Sequence, residues 1–208
     1  MTLGSAAAGL IVLLGGCGSS GPTAPGAAPS ATHTPGTGGP APAASQAPVP
    51  AESNPPGDIP DTTVYVPYQS AAGHFQLRVP EGWSRSSNPS SATFSSNLNS
   101  ITAAWMPMAA APSVSAARAT TVPALRASTL AFRLQAVRAV PLAGGTAIEI
   151  VYQVNSQPNA VTGRQYRLVI ERFELQRAGR LAVVSLSSAV GSDNVDPWRI
   201  VSESFRWM

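Results

Sequence analysis

The sequence predicts an α+β fold in which an antiparallel β-sheet is flanked by helices. Four long segments of alternating apolar and polar residues lie in the C-terminal half, and short turns join them. Consecutive strands joined by short turns pair antiparallel, because a parallel pair needs a longer crossover connection. One helical segment precedes these strands and a second one closes the chain. The length of 208 residues allows one such domain and a separate N-terminal segment.

Two strands are predicted at the start of the domain. Thr63–Tyr68 is rich in β-branched and aromatic residues, which favour strands. Pro67 indicates an edge position or a strand end, because proline cannot donate a hydrogen bond to a neighbouring strand. His74–Val79 alternates between apolar and polar residues. Its apolar side chains are expected to face the core: Phe75, Leu77 and Val79.

The next elements are predicted from shorter patterns. Residues 84–91 are rich in Ser, Asn and Pro and are expected to form a loop. Residues 92–94 and 100–106 are expected to form two further strands around a turn. Apolar residues repeat at helical spacing over residues 113–129. Pro123 lies inside this segment, so a kink or a break is expected there.

Four strands and a helix complete the predicted domain. Gly144-Gly145 fits a hairpin turn between the first two of these strands. Asp196-Pro197 is a favourable helix start, with Asp as the N-cap and Pro at the first helical position. On the closing helix we expect Trp198, Val201, Phe205 and also Ile200 to lie against the sheet. The four strands are predicted at residues 132–140, 146–154, 165–176 and 180–188.

A short apolar segment at the N-terminus ends at the single cysteine of the chain, Cys17. Residues 3–16 carry no charge, which matches the apolar core of a signal peptide and is too short for a bilayer span of roughly 20 residues. Leu14-Gly15-Gly16-Cys17 resembles the lipobox of bacterial lipoproteins. The resemblance implies attachment of a diacylglycerol to Cys17, cleavage before it, and anchoring at the outer face of the cytoplasmic membrane. Since residues 1–4 lack the positive charge of a signal peptide, we expect the natural start codon to lie upstream.

The composition divides the chain into three segments. Residues 1–16 are expected to be the signal peptide. Residues 17–61, which begin with Cys17, are rich in Pro, Gly, Ala and Ser and have few large apolar side chains. Such a segment cannot bury enough apolar area to offset its ordering entropy, so it is expected to be a disordered tether. A buried core thiol is the alternative for Cys17, but its flanks offer no core. Residues 62–208 are expected to be the folded domain.

Two local patterns point to a fold family. One is Phe75-x-Leu77-x-Val79-Pro80-x-Gly82-Trp83, and the other is the closing segment from Trp198 to Trp207. Together with the element order over residues 62–207 they resemble the PsbP-like fold, an α/β/α sandwich around an antiparallel sheet. Within that group the chain is most similar to actinobacterial lipoproteins of the LpqN type. This resemblance implies a protein without catalytic activity; another antiparallel α+β domain with the same element order is the alternative.

The charge pattern argues against a nucleic-acid partner. The thirteen basic residues are all arginine, and the formal net charge is only +3. They are spread from Arg78 to Arg206 without a dense cluster, whereas nucleic-acid binding needs a basic patch. The absence of lysine, with abundant Ala, Gly and Pro, is typical of a high-GC genome. The partners expected are the membrane, through the lipid anchor, and another envelope protein.

The domain offers few residues for catalysis, metals or cofactors, and none is predicted. Its single histidine, His74, is expected to face solvent, and no Gly-x-Ser-x-Gly motif occurs. The oxygen-rich segment Ser192–Asp196 lacks the glycine and terminal glutamate of a calcium loop. Three glutamates are expected to form cross-strand pairs with arginines on a solvated sheet face, with paired catalytic carboxylates as the alternative. They are Glu149, Glu171 and Glu174.

The four tryptophans leave two possibilities open. At helix and strand ends such side chains usually pack between helix and sheet, and this is the favoured interpretation. Trp83 and Trp198 are the candidates for direct contact with a partner. The function expected is that of a lipid-anchored, non-enzymatic binding or scaffold protein of the cell envelope. The alternative is a carrier of a hydrophobic ligand, which would need an apolar hollow of roughly 300 Å³ or more.

Overall fold

The computed structural model describes residues 46–208, so the predicted signal peptide, Cys17 and most of the predicted tether lie outside the described residues. Ten strands form two sheets in this part of the chain. The strands are β1 Tyr65–Ser70, β2 Phe75–Pro80, β3 Ser84–Asn88, β4 Ser91–Ser96, β5 Asn99–Pro107, β6 Arg133–Leu142, β7 Gly145–Asn155, β8 Arg167–Arg177, β9 Arg180–Ala189 and β10 Arg206–Trp207. The helices are α1 Val114–Ala116, a π-helical turn Ala117–Thr121, α2 Val122–Ser128 and α3 Val195–Glu203.

The large sheet has seven strands in the order β3-β4-β5-β9-β8-β7-β6, and all neighbours are antiparallel. The four predicted long strands form the meander β6 to β9 within it. The small sheet has the order β1-β2-β10, so β1 is the edge strand that Pro67 indicated. The prediction of an α+β fold around an antiparallel sheet is therefore confirmed.

The main core lies between one face of the large sheet and a layer made of the small sheet and α3. Phe75 of β2 is fully buried, and its ring stacks on Phe205 at a centroid distance of 5.3 Å. The predicted inward faces of β2 and of the closing segment are confirmed, with the exception of Ile200, which is exposed. The sheet contributes apolar side chains from five of its strands, among them Phe94, Ile101, Phe173, Leu175 and Leu186.

A second, smaller core covers the opposite face of the large sheet. The helical segment 114–128 packs there on β6, β7 and β8, and Val122 lies beside the buried Ile150. Pro123 stands in the first turn of α2, directly after the π-helical turn. Because proline has no N–H to donate, the regular α-helical ladder is interrupted at this point. The predicted irregularity at Pro123 is confirmed, and the helical segment continues through it.

Two local predictions need correction. The segment 84–91 is not a loop: it contains β3 and the first residue of β4. All five residues of β3 are exposed, so this edge strand lacks the apolar alternation by which strands are recognised. The closing helix ends at Glu203, and Arg206–Trp207 pairs with β2 instead of extending the helix.

Residues 46–60, which we call the strap, lie against the domain and are not part of a free tether. Ile59 is buried in the main core, and its N–H donates to Oδ1 of Asn194 at 2.8 Å. At the other end of the strap, the N–H of Val49 donates to Oδ1 of Asn155 at 3.0 Å. Both asparagine side chains are buried. The predicted boundary at residue 61 is therefore corrected, and the folded part includes residue 46.

The composition of the strap could not reveal this packing. Its apolar content is low, as predicted, but its backbone groups are satisfied by side chains that are more than 100 residues away in sequence. Asn194 also donates to the carbonyl of Gly57 at 2.9 Å, and Asn155 donates to that of Ala47 at 2.9 Å. Buried hydrogen bonds of this kind hold a segment in place without a large apolar contact.

Candidate binding cleft

A cleft of about 520 Å³ lies between α3 and the sheet strands β6, β7 and β8. It opens to solvent and lies on the face of the sheet that carries the main core. The sheet forms its floor, where charged side chains alternate with apolar ones along the strands, and α3 forms the opposite wall with Val195, Arg199, Ser202 and Glu203. The apolar lining residues include Val140, Leu142, Val151, Phe173 and Val195.

Glu149 forms the floor of this cleft. It is the direct cross-strand partner of Arg138 on β6, and the guanidinium Nε of Arg138 donates to its Oε2. The Glu149 side chain is 5% exposed, whereas that of Arg138 is 62% exposed. Hydrogen bonding and the charge of Glu149 raise the pKa of Arg138. A buried carboxylate is thus held by a cation that lies mostly in solvent.

Glu171 is the second carboxylate of the cleft. It lies on β8, faces the same side of the sheet as Glu149, and belongs to none of the ion pairs among residues 46–208. Burial raises the pKa of Glu171; the charge of Glu149 raises it further, and the charge of Arg138 opposes this. Burial and the neighbouring Glu149 raise the pKa because each makes a second negative charge in the cleft less favourable. A cation or an N–H donor brought to Glu171 would relieve this cost.

The helix α3 supplies the charged rim. The guanidinium of Arg199 lies 3.1 Å from Oδ1 of Asp196 and 3.5 Å from Oε2 of Glu203. These side chains are more than half exposed, so their pairing contributes little to stability. They are also free to rearrange around a ligand at the mouth of the cleft.

The cleft brings few chemically reactive side chains together. No histidine or cysteine lines it in the described part of the chain, and Ser202 is the hydroxyl among its lining residues. The carboxylates of Glu149 and Glu171 lie on one face of the sheet, with Glu149 paired to Arg138, and the alternative of paired catalytic carboxylates stays open. A lining that mixes apolar side chains with carboxylates matches a ligand that combines a hydrocarbon part with a cationic or N–H-donating group.

The structure places the two tryptophans proposed for partner contact in the packing under α3. Trp198 is 4% exposed, and its ring packs edge-to-face on Trp83 at a centroid distance of 6.4 Å. Trp83 is half-buried against the same core. A side chain as buried as Trp198 has almost no surface to offer a partner, which favours the core interpretation that the sequence also favoured; the contact role of Trp83 and Trp198 stays a prediction. Cys17 lies outside the described residues.

The other residues considered for chemistry also have structural explanations. His74 is exposed, as predicted, but it precedes β2 with a φ of 55° and is not part of the strand. Asp196 does not cap α3: the N-cap is Asn194, and Asp196 instead pairs with Arg199. Ser192–Asp196 leads into α3. Among residues 46–208 no group of three or more potential metal ligands occurs.

The prediction of a solvated face for the glutamates is corrected. Glu149 and Glu174 are both buried, and they lie on opposite faces of the large sheet. Glu174 accepts a hydrogen bond at 2.8 Å from Arg172, which stands two residues away on the same strand. The alternation contained this signal for Glu149 and Glu171, whose same-face neighbours along β7 and β8 are apolar, but not for Glu174, which stands between Arg172 and Gln176 on its face. The covering layers were needed to show that these faces are buried.

The architecture is that of an antiparallel α+β domain with one charged, solvent-open cleft under its closing helix. None of the helices within residues 46–208 has the length and apolar character needed to cross a membrane. No protein-family model matches the sequence, and no curated protein matches it.

Several solved structures are similar to this chain in fold. The Ran-binding protein Mog1p of Saccharomyces cerevisiae has a TM-score of 0.49 at 9% identity, over 70% of this chain and 96% of that one. Cyanobacterial PsbP from Synechocystis has a TM-score of 0.47 at 15% identity, over 74% of this chain and all of that one. A protein of unknown function from Pseudomonas aeruginosa has a TM-score of 0.40 at 14% identity, over 65% and 91%. The similarity to PsbP is to the fold group that the sequence resembles, and it concerns the fold alone.

Proposed function

We propose that this protein is a lipid-anchored, non-enzymatic binding or scaffold lipoprotein of the cell envelope, with a PsbP-like domain of the LpqN type. The observation that carries the binding role is the cleft under α3, where Glu171 lies without an ion-pair partner among the described residues. The lipobox-like Leu14–Cys17 supports the location at the outer face of the cytoplasmic membrane. The two domain motifs support the family.

The cleft favours a ligand with a cationic group. Its carboxylates are Glu149, Glu171 and Glu203, and its guanidinium groups are Arg138 and Arg199. Three acidic and two basic side chains leave one negative charge to be balanced when all are ionised. A lysine or arginine side chain of an envelope protein would supply the balancing positive charge. Its methylene groups would lie along the apolar side chains that line the cleft.

A carrier of a hydrophobic molecule is the second candidate, because the cleft exceeds the roughly 300 Å³ that such a ligand needs. Its charged floor weighs against this role. An apolar ligand would cover Glu171 without offering it a hydrogen bond, and burying an unpaired polar group is unfavourable.

A binding experiment separates the two candidates. A short peptide with one lysine between leucines is titrated into the full chain by calorimetry, beside a fluorescent fatty acid. The binding role predicts saturable peptide binding that Glu171→Gln weakens, while Glu81→Gln, an exposed control at a turn outside the cleft, leaves it unchanged. Fatty-acid binding without peptide binding would favour the carrier, and peptide binding of equal strength in both variants would refute the role of the cleft.

The anchor is tested separately. Mass spectrometry of the mature protein should show a diacylglycerol-modified Cys17 at its N-terminus. Cys17→Ala should abolish both the modification and the cleavage, whereas the neighbouring Ser19→Ala should leave them intact. An unmodified Cys17 that still follows residues 1–16 in the mature wild-type protein would contradict the proposal.

A further inference from the structure

The hairpin turn between β8 and β9 carries two arginines that face each other. Arg177 and Arg180 are direct cross-strand partners. Like charges in directly opposite positions destabilise an antiparallel pair. Neither arginine belongs to an ion pair among residues 46–208. The repulsion between these two charges therefore lowers stability without a compensating contact. Such uncompensated destabilisation is expected at functional positions.

The two arginines line a depression of about 240 Å³ that contains no acidic side chain among its described lining residues. His74 adds a ring that can donate an N–H, and Trp207 forms an aromatic wall. Arg180 also lines an adjoining depression of about 250 Å³ beside Trp105 and Pro107. One guanidinium thus stands between two tryptophan-walled hollows.

The walls of this site are fixed by the fold. Trp207 pairs with Phe75 in the small sheet, and its ring packs edge-to-face on Phe75 and Phe205 at 6.3 Å and 5.2 Å. The N–H of Met208 donates to the carbonyl of His74 at 2.9 Å. The turn is held from the other side, because the N–H of Met108 donates to the carbonyl of Gly179 at 2.9 Å. A ligand would therefore meet a preformed site.

We infer that this depression binds a phosphate group. Planar guanidinium groups match the oxygens of phosphate in a bidentate manner. Two of them line this depression beside Met208, and neither forms an ion pair with a side-chain or terminal carboxylate of residues 46–208. The tryptophan wall would contact the organic part of a phosphate ester. The site has the opposite charge preference to the cleft under α3, so this inference goes beyond the proposed function and does not depend on it. The phosphate could belong to a lipid headgroup or to a soluble compound.

The test uses the chain without residues 1–16 and with Cys17→Ala, so that neither the apolar N-terminal segment nor a lipid anchor can carry it to a membrane. Inorganic phosphate is titrated at constant ionic strength against chloride, and the indole N–H resonance of Trp207 is followed by NMR. Arg180→Gln removes a charged hydrogen-bond donor and should therefore weaken phosphate binding about tenfold or more. Arg133→Gln removes an equal charge from an exposed position on β6 and should leave it unchanged.

A second arm identifies the source of the phosphate. Co-sedimentation with phosphatidylglycerol vesicles that Arg180→Gln abolishes would assign a lipid headgroup; phosphate binding without co-sedimentation would assign a soluble phosphate compound. The inference is overturned if neither probe binds, if chloride alone reproduces the shift, or if Arg180→Gln binds as the wild type does. Folding of the variant is checked by its melting temperature, which should not fall, because the substitution removes a repulsion.

Discussion

Truncation of Trp198 to alanine should destabilise the domain strongly, because this side chain joins α3 to the main core. The residue is 4% exposed and packs with Trp83 as well as with the buried layer of the sheet. α3 is only nine residues long. A helix this short depends on its packing and not on its intrinsic propensity.

The expected magnitude follows from burial. Replacement of a buried Trp by Ala typically costs about 3–5 kcal/mol, which includes the cavity that is left. The edge-to-face contact with Trp83 falls within this sum, since such pairs contribute about 0.5–1.5 kcal/mol. For a domain of 150–250 residues each kcal/mol lowers the melting temperature by about 2–4 °C. Trp198→Ala should therefore lower it by about 6–20 °C.

The assay is thermal and urea denaturation of the full chain followed by circular dichroism. Ile200→Ala is the matched control, because it lies on the same helix and is 36% exposed. It should change the free energy of unfolding by less than about 1 kcal/mol. If Trp198→Ala melts like the wild type and instead loses binding to an envelope protein, the core role is refuted and Trp198 becomes a contact residue.

Three further outcomes are expected. Asn194→Ala removes the buried side chain that holds the strap, so limited proteolysis should cleave residues 46–60 faster; equal rates would contradict the clamp. Burial raises the pKa of Glu171, so its ionisation destabilises the folded state as pH rises through that pKa. Glu171→Gln should therefore melt above the wild type at pH 7, with the gap closing near pH 3, below the ordinary glutamate pKa of about 4.3; Glu81→Gln should show no such trend. Gly144→Ala should cost about 1–3 kcal/mol in urea denaturation, because its Cβ would collide with the ring of Phe205.

The elements that could be predicted from the sequence are those whose buried face shows in the spacing of their apolar residues. The four strands of the meander, the inward face of β2 and the buried side of the closing helix all carry regular apolar spacing. The strand β3 carries none, because as a polar edge strand it buries no side chain. Edge strands of this kind are stabilised by backbone pairing with a neighbour, which leaves no apolar pattern in the sequence.

Asn194 shows why the strap could not be predicted. In the sequence it stands in an oxygen-rich segment, where ligand or cap roles are the natural candidates. In the structure it is both the N-cap residue of α3 and the buried partner of Ile59 and Gly57, which lie some 135 positions earlier. A pairing across that separation depends on the completed fold. The same holds for Asn155, whose partners Ala47 and Val49 belong to the same strap.

The charged floor of the cleft weighs against the carrier and favours a ligand with a cationic group. An apolar ligand would gain about 25 cal/mol for each Å² of apolar surface that it buries in the cleft. It would also cover Arg138, whose side chain is 62% exposed, and Glu171, which has no ion-pair partner among the described residues. Removing such groups from water without a new partner costs free energy, so an apolar cargo is expected to bind weakly. A cationic ligand would give Glu171 the ion-pair partner that none of the described residues provides. The acidic side chains that disfavour an apolar ligand would then contribute to binding.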